Sequence, residues 1–463
     1  MKRGSTSKSA ILFSICMAHF LNPFMLSAVG VALPVMGREF SASAVQLGLI
    51  ETSFMVSMAI FLLVMGRLGD IHGRRKVFQL GLLLFAFSGG LISQANSIEM
   101  VITLRFLQGV GGAMVNATTM AILVAAFPSA ERGKALGIAI ASVYAGISCG
   151  PFIGGFLIEL LGWRSLFYLM VPLGLLTYLV TRIKIKDEWA DSAGEPFDWK
   201  GALVYAPSIL LLVYSVIHLK EGGVIWGVLL FANLGLGLFL LIESRTSYPL
   251  LDIRLFLDNR VFALSNLAAL FNYAATFGVT FFLSLYLQEV KGMGPQHAGT
   301  ILIVQPIVQT IFSPLCGRLS DRIPAAYVAT GGMALCAVGL AIATQLSADS
   351  PLSVILLLLV FLGLGFALFS APNVSMIMGS VAPQSLGVAS GVSASMRTLG
   401  MLTSMMIITL IFSYLMQGQP VTLKTQPEFL ASMRMALLIF SSLCVIGIGC
   451  SLGRVAGLPH RSL

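Results

Sequence analysis

The chain has 463 residues, of which 57% are hydrophobic and only 10% charged. A soluble domain carries about 25% charged residues, so there is too little charge here to cover a water-facing surface. Six cysteines include no pair at metal-ligand spacing, and the net charge of +9 has a topological origin that makes nucleic-acid binding an unneeded explanation.

Apolar runs near 20 residues recur along the chain, each long enough to cross about 30 Å of hydrocarbon. In lipid such runs must be helices, because every backbone polar group needs an internal partner. Fourteen spans are predicted, near residues 10–35, 45–66, 77–94, 99–121, 134–159, 163–182, 200–219, 223–243, 262–287, 298–316, 326–346, 351–373, 386–415 and 431–453. The first run lacks a small-residue cleavage site and reads as a retained span. On it His19, Asn22 and Met25 are spaced by three, roughly on one helix face. That stripe suits a cavity wall in which an imidazole exchanges a proton near neutral pH; a buried, hydrogen-bonded histidine fits the same residues.

Span 2 carries Glu51 and runs into a charged turn, Gly66-Arg67-Leu68-Gly69-Asp70-Ile71-His72-Gly73-Arg74-Arg75-Lys76. Span 4 carries Arg105 and Asn116. Glu51 and Arg105 each lie about six residues, hence about 9 Å at ~1.5 Å per residue, from the same side of the bilayer. They can pair, or take turns as partners of a proton. Ionisable groups inside a bilayer usually mark a pathway or a pair, and Glu51 is the only acid among those well inside the spans, the others being His19, Arg105 and Arg397. Glu51 is therefore the first candidate for proton coupling; the alternative is a structural acid neutralised by Arg105. Span 5 places Gly146, Gly150, Pro151, Gly154 and Gly155 on one helix, with glycines four apart sharing a face that permits close helix contact. Spans 9 and 10 offer candidate cargo contacts in Asn272, Tyr273, Gln305 and Gln309, to which span 13 adds Arg397 near the midplane. Aromatics with a few amides suit a large amphipathic ligand better than a sugar, although ordinary helix packing explains most of these aromatics equally well.

Orientation follows from the basic residues. Loops on the side of the N-terminus hold 20 of the 28 Lys and Arg, and the opposite loops hold six. By the positive-inside rule both termini are expected in the cytoplasm.

The chain also repeats. Gly317-Arg318-Leu319-Ser320-Asp321-Arg322 returns 251 residues after the charged turn, with Pro324 and Ala325 in place of its basic cluster. Gly109, Gly111, Gly133, Gly137 and Gly146 find Gly363, Gly365, Gly387, Gly391 and Gly400 at an offset of 254. In that register Gly150 and Pro151 correspond to Ser404 and Met405, so the Gly-Pro element belongs to one half alone. Duplicated helical units are how alternating-access transporters are built. The expected division is a six-helix bundle over 1–182, a linker with two extra helices over 183–260, and a second six-helix bundle over 261–463.

The turn at 66–76 resembles the signature loop of the major facilitator superfamily. Gly146-x-x-x-Gly150-Pro151-x-x-Gly154-Gly155 is similar to that superfamily's antiporter motif, and Arg105-Phe106-Leu107-Gln108-Gly109 to its membrane-embedded arginine motif. Ala32-Leu33-Pro34, Phe197-Asp198-Trp199 and Arg397-Thr398-Leu399-Gly400 look like the fourteen-span drug:proton antiporter branch. The resemblance implies an all-α major facilitator fold, of two six-helix bundles plus two inserted helices. It implies a non-enzymatic, multidrug-efflux type of secondary transporter in a prokaryotic inner membrane, exchanging hydrophobic or amphipathic compounds for protons. It also implies a charge latch at Gly66, Asp70, Gly73, Arg74 and Arg75, echoed by Asp321. Where that branch commonly carries an acid, seven residues before Ala-Leu-Pro, this chain has Met25. An uptake symporter or uncoupled facilitator is the competing reading. No cofactor or metal is expected; the expected partners are the lipid bilayer, a small-molecule substrate and protons, with the chain a monomer.

Overall fold

The computed structural model describes residues 7–382 and 386–454, and all regular structure among them is helical. The elements are α1 (Lys8–Phe40), α2 (Ala44–His72), α3 (Arg74–Ile92), α4 (Ile98–Ala126), α5 (Ser129–Leu161), α6 (Arg164–Lys184), α7 (Trp199–Ile217) and α8 (Val224–Arg245). They continue with α9 (Arg254–Asp258), α10 (Arg260–Leu285), α11 (Pro295–Leu302), α12 (Val304–Arg322), α13 (Ala325–Ala343), α14 (Leu352–Gly379), α15 (Leu386–Leu415) and α16 (Gln426–Gly453). Fourteen helical stretches among the described residues are long and apolar enough to span a membrane, matching the predicted spans one for one. Helix starts follow local chemistry: Ser43 and Gln46 form a reciprocal capping box at α2, and Asp198 caps α7 through the Gly201 amide.

Two spans depart from simple helices. Span 10 is interrupted at Ile303, between α11 and α12. Pro306 has no N–H for the Leu302 carbonyl, which removes one rung there. Span 9 leaves α10 through a π turn at Tyr286–Val290, in which the Lys291 amide bonds the Tyr286 carbonyl at 3.0 Å.

The duplication is visible in how glycines let helices cross. A Cβ at Gly81 would stand 3.0 Å from the Gly111 carbonyl oxygen, and one at Gly332 2.6 Å from that of Gly365. A Cβ at Gly109 would meet the Phe54 carbonyl at 2.5 Å, and one at Gly363 the Gln305 carbonyl at 2.6 Å. Gly146 presses on the Phe20 carbonyl as Gly400 does on that of Leu270. So α3–α4 crosses like α13–α14, α2–α4 like α12–α14, and α1–α5 like α10–α15. The unmatched Gly150 has a physical explanation in the same register. Gly150 makes room for the Ser27 hydroxyl, whereas in the second half Gly278 makes room for Ser404, whose Oγ accepts the Gly278 amide at 2.9 Å. The glycine and the hydroxyl have changed helices while the close contact is kept.

The halves meet chiefly through α2 with α15 and α5 with α11. The face carrying the excess of Lys and Arg is called the basic face here. Toward the other face the halves are pressed together: Arg38 pairs with Glu289 at 2.7 Å, Gln288 donates to the Val31 carbonyl at 3.0 Å, and the Ala44 amide donates to the Gln419 carbonyl at 3.0 Å. The π turn presents both Gln288 and Glu289 to α1, which is the use made of its extra residue. Toward the basic face, Cβ atoms at Gly137, Gly317, Gly387 and Gly391 would meet nothing within 4 Å. The halves are thus held together on the face opposite the basic one. The inserted helices α7 and α8 pack on each other and touch the bundle mainly through α7, where Tyr205 donates to the Ala59 carbonyl at 3.1 Å. Leu203, Leu230, Phe231 and Leu234 of the hairpin point outward, as lipid-facing side chains do.

Candidate functional site

Glycine contacts place the central polar groups. Because Gly400 lets α15 lie against α10, Arg397, one turn earlier, comes within reach of the Tyr273 hydroxyl, with Ser370 beside it. The Tyr273 ring meets Phe366 edge-on at 5.2 Å. Across the gap between halves, the Tyr144 hydroxyl of α5 bonds Ser370 of α14 at 3.2 Å. His19, 6% exposed, is held inside the first half. Its Nε2 lies 2.9 Å from the Thr119 hydroxyl and its Nδ1 3.3 Å from the Ala139 carbonyl. A carbonyl only accepts, so Nδ1 carries the hydrogen. Thr119 Oγ1 is also 3.3 Å from the Asn116 carbonyl, so its proton has a second acceptor whenever Nε2 is itself a donor. Neutral and protonated imidazole are therefore both satisfied by these partners. His19 thus ties α1 to α4 and α5.

Glu51 and Arg105 are brought together at 3.1 Å, with the two residues 3% and 0% exposed. Arg105 also donates to Gln108 at 2.8 Å and to the Ile50 carbonyl at 3.4 Å, and lies 4.3 Å over the Phe54 ring. Glu51 Oε1 has no partner. The pair is enclosed between α2 and α4, inside the first half.

The charged turn engages the linker after α6. Asp70 pairs with Arg74 at 2.7 Å, and Arg74 reaches Asp191 at 2.8 Å. Arg67 pairs with Glu195 at 2.6 Å, and the Arg75 amide donates to Glu188 at 2.8 Å. Gly73, with φ +114°, closes α2 beside the Glu188 carboxyl in a backbone conformation that favours glycine. Gly66 leaves α2 with only Ala117 nearby, at 3.8 Å. The charged turn thus has its partners in residues 188–195. Asp321 lies in α12, but its side chain falls outside the described residues.

The glycine stretch of α5 is packed on two sides. Gly146, Gly150 and Gly154 sit against Phe20, Ser27 and Ala28 of α1, while Gly155 lies 2.5 Å, measured from a built Cβ, from the Pro295 carbonyl of α11. The Pro151 carbonyl presses on Gly299.

Other predicted cavity residues are distributed differently. Asn22 is buried and faces a small hollow lined by Leu21, Leu82, Phe85 and Gly112 within the first half, and Met25 is fully enclosed. Asn116 is half-buried, its amide 3.8 Å from the Met58 sulfur. Asn272 is fully buried with Cys336 within reach. Gln305 is half-buried at the start of α12, and Gln309 is buried. Sequence reasoning missed Tyr144 and Ser370, which stand 226 residues apart and carry no local signal. It also counted Arg454 as a loop cation. Arg454 is 0% exposed and donates to Ser265, Asn373 and Ser451, joining α10, α14 and α16.

A duplicated bundle of fourteen spanning helices, closed on one face and holding a polar cluster between its halves, defines a membrane transporter and not an enzyme. The chain belongs to the major facilitator superfamily, whose family model matches residues 15–405 and again 265–460. It is 29% identical to the riboflavin transporter RibZ of Clostridioides difficile over 95% of this chain and 96% of that one. It is 32% identical to the multidrug resistance protein Stp of Mycobacterium tuberculosis over 80% of this chain and 70% of that one. A solved structure of a bacterial homolog of the human lysosomal transporter Spinster, inward-facing and unoccupied, shares the fold with TM-score 0.71 at 17% identity, covering 98% of this chain and all of that one.

Proposed function

We propose that this protein exports hydrophobic or amphipathic compounds across the inner membrane of a prokaryote in exchange for protons, with both termini in the cytoplasm. The observation that carries this reading is α5. Its Gly146–Gly155 stretch touches both α1 in its own half and α11 in the other. A helix smooth enough to contact both halves can keep them sealed while they rock. The boundaries at 182 and 260 then divide two moving bundles from an inserted hairpin, and the linker acids 188–195 hold the charged turn while the basic face is open.

Protons would be carried at Glu51, whose second oxygen has no partner, and at His19, whose neighbours serve either protonation state. Glu51→Gln and His19→Gln are expected to abolish pH-driven export in inverted vesicles while ligand binding stays measurable. Unchanged pH-driven transport in both variants refutes the assignment. Met25, which replaces the acid of the resembled branch, and the similarity to a riboflavin transporter support a second reading, uptake or facilitated passage of a small organic solute. Transport direction measured with and without a pH gradient separates the two.

A further inference from the structure

The central cluster holds one formal charge, and no described acid pairs with it. Arg397 of α15 comes within reach of the Tyr273 hydroxyl, where Gly400 lets α15 lie against Tyr273 of α10. Among the described residues it takes part in no ion pair, whereas the other span-embedded arginine, Arg105, has its own acid. Among the described acids, Glu39 pairs with Arg164, Glu51 with Arg105 and Glu289 with Arg38, while Glu159 accepts the Gln296 amide and Glu243 the Leu251 amide. The Tyr273 beside Arg397 belongs to a cluster of hydroxyl groups and rings, meeting Phe366 edge-on and standing near Ser370, which bonds Tyr144. A cation near the midplane without a counter-charge is costly, and a ligand that brings a negative group removes that cost on binding. A guanidinium suits a carboxylate by offering two parallel N–H donors, and the rings beside it suit an aromatic body.

We infer that the cargo of this protein is an amphipathic aromatic compound carrying a carboxylate or similar anionic group, held through Arg397, and that cationic compounds of the same shape are disfavoured. The like charge of Arg397 repels a cation, and no carboxylate in the cluster offers it a partner. This deepens the export reading but does not depend on the direction of transport, so its test is made on binding.

The purified full-length chain in lipid nanodiscs is titrated with fluorescein and with rhodamine 123, which share a tricyclic ring system and differ in charge. A second pair, 1-naphthoate and 1-naphthylmethylammonium, is measured by competition or calorimetry. The anion of each pair is expected to bind at least tenfold more tightly. Arg397→Gln should lose at least tenfold in affinity for the anions without weakening the cations, and Arg397→Lys should keep part of the preference. Folding of each variant is checked by its thermal midpoint, and the lysine variant keeps the test decisive if the glutamine variant folds poorly. Absence of an anion preference in both pairs, or an unchanged preference in Arg397→Gln, overturns the inference. Anion binding through Arg397 in a chain that moves its cargo inward would instead refute the export reading alone.

Discussion

Arg105→Met is the sharpest test of how the first half is held together. The substitution keeps an unbranched side chain of similar reach and deletes the guanidinium. Glu51, 3% exposed, then has a carboxyl with neither oxygen partnered, because Oε1 already lacks a donor and Oε2 loses its 3.1 Å contact. Breaking a buried pair in this way costs about 3–5 kcal/mol. Loss of the contact 4.3 Å over the Phe54 ring falls within about 0.5–2 kcal/mol. The two figures overlap in what they count, so the expected loss is about 3–5 kcal/mol. Removing both charges is a different perturbation. Glu51→Leu with Arg105→Met leaves an apolar site of similar volume, and such replacements are often neutral or stabilising. The double variant should therefore recover most of the loss, as read by unfolding with increasing dodecyl sulfate in mixed micelles. A double variant as unstable as Arg105→Met alone would refute the argument, since the damage would then lie in packing around Gln108 and Phe54. A stable double variant that no longer couples to a pH gradient would show that the pair serves transport rather than architecture.

Two further outcomes follow from the geometry. Asp198 and Glu243, 9% and 2% exposed, approach within hydrogen-bonding reach, yet Asp198 Oδ2 and Glu243 Oε1 both lack a donor; Glu243→Gln supplies one while keeping an acceptor for the Leu251 amide, and should raise stability by about 1 kcal/mol. Thermal unfolding of the purified protein checks this, and a lowered midpoint would count against it. A Cβ at Gly48 would stand 3.6 Å from that of Thr409, inside the range of about 3.5–4.5 Å that disulfides require. Gly48→Cys with Thr409→Cys should cross-link α2 to α15, lock the closed face and stop transport until a reductant is added. Transport that persists in fully cross-linked protein would contradict a rocking mechanism.

The candidate site was legible in the sequence wherever depth alone settled it. Glu51 and Arg105 were matched because equal distance from one membrane surface allowed them to meet, and they do. The charged turn was recognised, but its partners were not. Glu188, Asp191 and Glu195 lie in a polar linker whose charges look like any loop's until the fold lays that linker along α2 and α3. His19 was read two ways, and the structure shows the buried, hydrogen-bonded one, with the ring held by Thr119 and the Ala139 carbonyl. Asn22 and Asn272 carry the composition of a cavity wall, but the rotation of α1 and α10 turns them toward Leu82 and Cys336. Arg454 lies one residue past the last predicted span, yet the packing of α16 against α10 buries it among Ser265, Asn373 and Ser451.

From the amino-acid order alone came the membrane, the fourteen crossings and the doubled architecture. These are properties of runs and periods: hydrocarbon selects any sufficiently long apolar stretch, and a copied unit keeps its glycine spacing wherever it lands. The tertiary structure decided which helix face meets which neighbour, and therefore that Ser27 against Gly150 is answered by Ser404 against Gly278 and that Tyr144 reaches Ser370. Such pairings depend on the rotation and tilt of whole helices under close packing, and no local stretch of chain contains that information.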